Sequence, residues 1–325
     1  MSAGSVVVTS RSFATSDASP RRELEAAGLD VVRADPRHDV TELARLLPGA
    51  VAWIAGTSPV TDRMLALGPR LRVLARYGVG YDAVDVAAAT RRGLWVTTTP
   101  GVNTEAVADL TVALLLDALR HVTAGVAAVR RGDWGARRGR ELGAMTVGLV
   151  GLGRIGRAVA RRVLGFGATV LAADPQLSGS PMDGVELVDL PTLAARCDVV
   201  SLHAPGGELL LDRERLGRLR AGVTVVNTAR GDLVDEQAMA DALRSGHVRA
   251  YACDTLTAEQ GVGAASPLLD ADLADRVLVT PHIGAQTDEA VSGMGRLAVD
   301  NVMAVLRGDV PPHPLNLPGG GRGSR

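Results

Sequence analysis

The chain has 325 residues, which at roughly 150 residues per domain predicts two domains. Hydrophobic residues make up 46% and charged residues 22%. That is globular composition with material for full cores, and it excludes a mainly disordered chain. The formal net charge is −1, from 35 cationic and 36 acidic side chains. No basic excess exists to neutralise phosphates over a broad surface, so nucleic acid is not an expected partner. Every one of the 35 cationic side chains is Arg. Without Lys, Schiff-base chemistry and a P-loop are both excluded. Cys197 and Cys253 stand apart, without the spacing of a disulfide framework or a metal site. The opening residues lack a cationic leader followed by an apolar stretch, and no uncharged apolar run reaches about 18 residues, so no membrane contact and a cytoplasmic location are expected.

In chain order, short β-branched runs at Val6–Thr9, Ala50–Ile54, Leu71–Ala75 and Leu94–Thr98 alternate with helix-like stretches at Arg21–Ala27, Thr41–Leu47 and Val84–Arg92. Strand and helix alternating at this spacing predict a parallel sheet covered by helices. After Pro100 and Gly101, one long apolar helix is expected from Thr104 to about Val122. The stretch Arg130–Gly143 breaks the pattern and reads as a loop or arm carrying Trp134. A second series follows, with strands at Thr146–Val150, Thr169–Ala173, Val199–Leu202, Thr224–Asn227, Arg249–Ala252 and Val277–Thr280. Six strands with crossovers fit a doubly wound dinucleotide-binding fold. Ala290–Leu306 reads as an amphipathic helix, and residues 319–325 as a disordered tail.

The sharpest local signal is Gly151-Leu152-Gly153-Arg154-Ile155-Gly156, between the strand TVGLV and a helix over Arg154–Leu164. Gly151 permits the tight turn, Gly153 admits a pyrophosphate to the backbone, and Gly156 lets helix and strand approach. The helix opening at Arg154 and Ile155 supplies amide donors and a dipole for phosphate. Asp174 ends the next strand, where such sites bind the ribose 2′-hydroxyl. Asp174-Pro175-Gln176 carries no cation for a 2′-phosphate, so NAD is expected in preference to NADP.

Ligands of open α/β sheets lie beyond the carboxyl ends of the strands. Arg230 follows TVVNTA, Glu259 follows ACDTL by a few residues, and His282 follows VLVTP. Singly, each reads as an ordinary surface Arg, solvated Glu or satisfied His. Their convergence at one rim of a cofactor-binding sheet reverses that weighting. An Arg fork suits carboxylate capture, a His can exchange a hydroxyl proton, and a carboxylate can hold the imidazolium. His38, His121, His247 and His313 show no metal-like spacing, and no metal is expected.

Six ordered segments now accumulate: ARYGVGYDAVDVAAATRRG, TTPGVNTEAVADLT, GLVGLGRIGRAVARR, DVVSLHAP, VNTARGDLVDE and TPHIGA. On them the chain resembles the D-isomer-specific 2-hydroxyacid dehydrogenase family, near its phosphoglycerate dehydrogenase-like branch, over nearly its whole length. The resemblance implies an α/β protein of two doubly wound, Rossmann-like domains with a cleft between them. Residues 1–99 plus 290–318 would form a discontinuous substrate-binding domain, and 100–289 the NAD-binding domain. It implies Arg230, Glu259 and His282 as the catalytic set. Val79 and Gly80 would hold the substrate carboxylate, and Asn103, His203, Ala204, Pro205, Thr228, Asp254 and Gly284 would line the cofactor, Asp254 facing its carboxamide. The loop around Trp134 resembles the family's dimerisation arm and implies a homodimer. The sequence departs from the family pattern at Ala83, usually Asn. It departs again at GGELLLD after Pro205, which lacks Leu-Thr-x-x-Thr, and at Gln260, usually Pro. The short stretch after Leu306 holds no regulatory extension, so feedback through one is not expected.

The expected activity is NAD(H)-dependent interconversion of a 2-keto acid and a D-2-hydroxy acid. Arg11 and Ser12, just after the first strand, together with Arg76, are candidates for binding a second anionic group. Such a group points to phosphohydroxypyruvate or phosphonopyruvate. The alternatives are a general hydroxypyruvate or glyoxylate reductase, and a non-catalytic NADH-sensing protein on the same fold.

Overall fold

The computed structural model describes residues 4–257 and 266–318. Glu259, Gln260 and the tail 319–325 lie outside the described residues. The chain divides into two compact units, Met1–Asn103 with Ala285–Arg325, and Thr104–Gly284.

In the first unit, strands β1 (Ser5–Val8), β2 (Asp30–Arg33), β3 (Ala50–Ala55), β4 (Val73–Arg76) and β5 (Trp95–Thr97) form a parallel sheet in the order β2-β1-β3-β4-β5. Its crossovers are α1 (Ser19–Ala26), α2 (Val40–Leu46), α3 (Asp62–Leu65) and α4 (Val86–Arg91). Alternation along β1 sorts the core into two layers. Val6 and Val8 join a cluster with Phe13, Leu24 and Val299, while Val7 joins Leu43, Leu47, Trp53 and Ala88. Asp39 and Asp85 accept the amides of Glu42 and Ala88, fixing where α2 and α4 begin. The chain returns through a long C-terminal helix, Asp288–Arg307, whose buried face includes Ala298, Val299 and Val302. Asn301, fully buried on that helix, donates to Thr98 O and accepts from His313 N, both at 3.0 Å. The segment that follows covers the open edge of β5, with Leu315 N donating to Val96 O at 2.8 Å.

The second unit opens with α5 (Thr104–Arg120) and α6 (Val122–Arg130). Seven parallel strands follow: β6 (Thr146–Val150), β7 (Thr169–Ala173), β8 (Val185–Leu187), β9 (Val199–Leu202), β10 (Val223–Asn227), β11 (Val248–Cys253) and β12 (Val277–Val279). Their order is β12-β11-β10-β9-β6-β7-β8. Helices α7 (Arg154–Gly165), α8 (Leu190–Arg196), α9 (Arg213–Arg218) and α10 (Glu236–Ser245) complete it, and the C-terminal helix of the first unit is α11. One core layer joins α5 and α7 to the sheet through Leu115, Val147, Leu149 and Val159. The other joins α8 to α10 through Leu193, Val225, Met239 and Tyr251.

Three expectations need correction. The second sheet has seven strands rather than six, because β8, only Val-Glu-Leu at a sheet edge, carries too little pattern to be read. In the first unit, β2 was likewise not expected; its residues are half-buried or exposed, so no apolar alternation marks it. The long helix expected from Thr104 to Val122 ends at Arg120, and α6 leaves it at 61°. Asp117 causes the break: its carboxylate accepts from Thr123 N at 2.9 Å and from the Thr123 hydroxyl, capping a new helix. His121 between the helices takes φ 57°. No single described helix is long and apolar enough to cross a membrane.

A buried polar knot ties β1 to β3. The Nδ1 of His38 meets Pro59 O at 2.8 Å, and that carbonyl only accepts, so Nδ1 carries the proton. Nε2 then accepts from the Thr9 hydroxyl at 2.7 Å, and Thr9 Oγ1 accepts from Trp53 Nε1 at 3.0 Å. The neutral ring satisfies every partner, and burial pushes His38 below its ordinary value of 6.5. The unfolded chain therefore binds the proton first, and folding stability falls as pH drops from 6.5 toward the folded value. The urea midpoint is expected to decrease between pH 7.5 and pH 5.5, and Thr9→Val to cost about 1–3 kcal/mol at neutral pH by stranding the Trp53 Nε1 donor and the His38 Nε2 acceptor. A flat pH profile, or a neutral Thr9→Val, would contradict this network.

Candidate active site

In the second unit β6 and β9 lie side by side, while the chain runs from β6 outward to β7 and from β9 outward to β10. This reversal is the switch point where open parallel sheets bind ligands at their carboxyl edge. Gly151 begins the loop there with φ 95°, and a Cβ on it would lie 2.8 Å from His203 O. A Cβ on Gly156 would lie 2.2 Å from Gly151 O, so only glycine lets α7 start this close to β6. Gly153 has open space around it and offers no side chain to cap α7. The first turn of α7, from exposed Arg154 and half-buried Ile155, thus presents amides to an anion. Asp174 stands beside this loop, with Oδ2 accepting from Leu152 N at 2.8 Å and Oδ1 from Gln176 N at 3.0 Å. Glycine cradle and acidic neighbour fit a dinucleotide.

His203 follows β9, with Nε2 2.9 Å from Ser201 Oγ and a buried Nδ1 that has no partner among the described residues. Burial pushes its pKa down to about 4, so the ring adds no positive charge beside the loop near neutrality. Ala204 lies under Gly151, and Pro205 is exposed. Thr228 is buried with its hydroxyl 2.7 Å from that of Thr111. Thr111 donates to Val107 O at 2.7 Å, so Thr228 must be the donor in the pair, and its own oxygen is left to accept. Asn103, which ends the chain's first pass through the other unit, has a buried Oδ1 without a partner among the described residues.

Arg230, the segment toward Glu259, and His282 leave the carboxyl ends of three neighbouring strands, β10, β11 and β12, whose ends are level through Asn227↔Cys253 and Cys253↔Val279. Arg230 is half-buried and its Nη1 donates to Ala229 O at 2.7 Å. His282 is exposed and holds φ 53°, a left-handed conformation that a histidine does not favour. Asp254 stabilises it. This buried carboxylate accepts from the Thr280 hydroxyl at 2.5 Å, Ile283 N at 2.9 Å and Gly284 N at 2.7 Å, while its backbone O accepts from His282 N at 3.1 Å. The loop is wrapped around one side chain, and the imidazole is held outward.

At the carboxyl edge of the other unit's sheet, Arg11 is exposed directly after β1, and Ser12 is half-buried with its hydroxyl bonded to Tyr77. Arg76 is buried; its Nη1 donates to Tyr77 O at 2.5 Å and lies against Gly78. Thr99 pins the same turn, accepting from Gly78 N at 3.0 Å through Oγ1. Val79, 39% exposed, and Gly80 stand at its tip. Among the described residues no group of three His, Cys, Asp or Glu could hold a metal ion. Asn227, Thr280, Thr111 and Thr99 were not singled out from sequence. Each works through backbone or hydroxyl contacts that no motif announces, although an Asn three residues before an Arg at a strand end is a recognisable turn former.

Residues 112–284 match the family model of the D-isomer specific 2-hydroxyacid dehydrogenase, NAD binding domain. The D-3-phosphoglycerate dehydrogenase of Mycobacterium leprae (strain TN) is 41% identical over 290 residues, covering 87% of this chain and 54% of the relative. The chain therefore spans about half the length of that relative. The glyoxylate reductase of Korarchaeum cryptofilum (strain OPF8) is 37% identical over 272 residues, 80% of each chain. The crystal structure of the TT0316 protein from Thermus thermophilus superposes with a TM-score of 0.85 at 38% identity, covering 96% of this chain and 100% of that one. The chain belongs to the D-isomer specific 2-hydroxyacid dehydrogenase family, and its second unit is an NAD-binding domain of that family.

The two loop glycines are expected to fail differently. Gly156→Ala forces a clash with Gly151 O and should lower the thermal midpoint, whereas Gly153→Ala meets nothing and should keep the midpoint while weakening NADH binding, read by quenching of protein fluorescence. Equal thermal loss in both would refute this division of roles.

Proposed function

We propose that the protein is an NAD(H)-dependent oxidoreductase that interconverts a 2-keto acid and its D-2-hydroxy acid. The observation that carries this reading is the placement of Arg230 and His282 at the carboxyl ends of β10 and β12, on the sheet whose β6–α7 loop forms the glycine cradle. Bound NADH supplies the hydride that reduces the ketone carbon. Arg230 binds the 2-keto acid through its carboxylate and polarises the ketone. His282 donates the proton to the developing alkoxide in reduction and accepts it in oxidation. Glu259 is proposed to hold His282 charged and oriented. Asp254 keeps the loop of His282 in its strained form and faces the cofactor's carboxamide. The backbone at Val79 and Gly80, on a turn braced by Arg76 and Thr99, is proposed to hold the substrate carboxylate, as the family resemblance implies.

Asp174 favours NAD over NADP, because its carboxylate would repel a 2′-phosphate and no cation adjoins it in sequence. Asn103, His203, Ala204, Pro205, Thr228 and Gly284 line the remaining cofactor site in this reading. Exposed Arg11, with Ser12, supports a substrate bearing a second anion, phosphohydroxypyruvate or phosphonopyruvate. A second reading, a general glyoxylate reductase, is favoured by the Korarchaeum relative, which this chain matches over 80% of its length.

A homodimer is part of the proposal. Val122, Val126 and Val129 on α6 are 55%, 48% and 42% exposed at helical spacing, and Trp134 is 82% exposed a few residues on. Such an apolar stripe fits a second copy of the chain.

The test is NADH oxidation against phosphohydroxypyruvate, phosphonopyruvate, hydroxypyruvate, glyoxylate and pyruvate, repeated with NADPH. A phosphorus-bearing substrate is expected to be preferred. Arg11→Ala should raise its KM far more than that of pyruvate, and equal effects would favour the glyoxylate reductase reading. His282→Gln should lower kcat by about 10²-fold or more, the scale of general acid catalysis. Turnover unchanged by that substitution would remove His282 from the mechanism, and an empty panel with tight NADH binding would point to a sensing protein instead.

A further inference from the structure

We infer that Asn227 is a positioning residue for Arg230; the inference rests on the reading of Arg230 above. Asn227 closes β10 and is fully buried. Both ends of its amide bond the turn that follows. Oδ1 accepts from Ala229 N at 3.0 Å, and Nδ2 donates to Arg230 O at 2.7 Å. An amide N–H can only donate and a carbonyl can only accept, so the turn requires a side chain with one acceptor and one donor arm. A carboxylate of the same shape has no proton for Arg230 O.

The frame extends to both sides. The Tyr251 hydroxyl stands 3.3 Å behind Nδ2, inside the core, where burial raises its pKa well above the ordinary value and keeps it protonated. The backbone O of Asn227 accepts from Asp254 N at 3.0 Å, which ties the base of the Arg230 turn to the residue that wraps the His282 loop. On the far side, a Cβ on Gly231 would lie 2.5 Å from Leu256 C, so the turn presses directly on the strand exit of β11. Asn227 before Arg230 and Gly231 after it leave the turn one seat. The guanidinium refers to the same turn, since Nη1 donates to the carbonyl of Ala229, whose N–H Asn227 holds. A shift of that peptide moves the fork that binds substrate, and displacements near 1 Å can cost up to about 10²-fold in rate.

The test is a double-mutant cycle on the full chain, with the best keto acid of the panel, in the wild-type and Arg230→Ala backgrounds. NADH affinity and thermal midpoint are measured beside kcat and KM. Asn227→Asp is expected to lower kcat/KM at least about 10-fold, mainly through KM for the keto acid, with NADH affinity kept within about two-fold. Tyr251→Phe, which keeps the shape, should lower it about two- to three-fold. In the Arg230→Ala background, Asn227→Asp should cause no further loss, because the group it positions is gone. Should the Asp variant not fold, Asn227→Ser carries the same cycle. Losses that multiply in the Arg230→Ala background, an equal fall in NADH affinity, or unchanged kinetics in the Asn227 variants would overturn the inference. If Arg230→Ala itself keeps wild-type kcat/KM, the reading of Arg230 fails, and the positioning role of Asn227 fails with it.

Discussion

A single buried carboxylate, Asp254, holds the loop that carries His282. Asp254 receives three donors from the Thr280–Gly284 loop, and its backbone receives a fourth. Without that set, His282 would have no reason to remain at φ 53°, where a β-carbon is disfavoured by about 1–2 kcal/mol. The hydrogen bonds that Asp254 accepts from this loop offset that strain. The backbone of the loop at His282 is therefore held while the residue itself stays exposed, which suits the proton-exchanging role proposed for it.

The architecture explains why such devices gather there. In an all-parallel sheet every strand delivers its following loop to the same edge. Adjacent strands β10, β11 and β12 end level, so their loops can be bonded to one another at their bases. Asn227 and Asp254 do this, one serving the turn of Arg230 and the other that of His282, with a backbone bond between them. Two strands away the β6 loop solves a different problem. It must let a diphosphate approach backbone amides, and Gly151 and Gly156 make that possible by leaving out side chains. The β6 end of the sheet edge is built by absence of atoms, and the β10–β12 end by dense hydrogen bonding.

Much of this was legible in the sequence, for identifiable reasons. The strand cores Thr146–Val150, Thr169–Ala173 and Val199–Leu202 are β-branched or aliphatic runs buried on both faces, and they stand where the pattern put them. Strands β2 and β8 were not legible, because Asp30-Val31-Val32-Arg33 and Val185-Glu186-Leu187 are too short and too charged to stand out as apolar runs. The helix break at His121 was missed because its cause is a side-chain cap by Asp117 rather than a Gly or Pro. In the site, Gly151, Gly153, Gly156 and Asp174 were readable as a motif, and the structure sets them around one loop. The supports were not readable. Asn227, Thr280 and Thr111 act across turns or between distant segments, and only folding brings their partners within reach.

The central claim is that this sheet edge carries out hydride transfer to C2 of a 2-keto acid with D selectivity. The direct measurement is reduction of the best keto acid with NADH carrying deuterium at both C4 positions of the nicotinamide, followed by chiral analysis and mass spectrometry of the product. The account predicts a D-2-hydroxy acid carrying the deuterium at C2, and loss of that product in the His282→Gln protein. An unlabelled product, or one of L configuration, would contradict it.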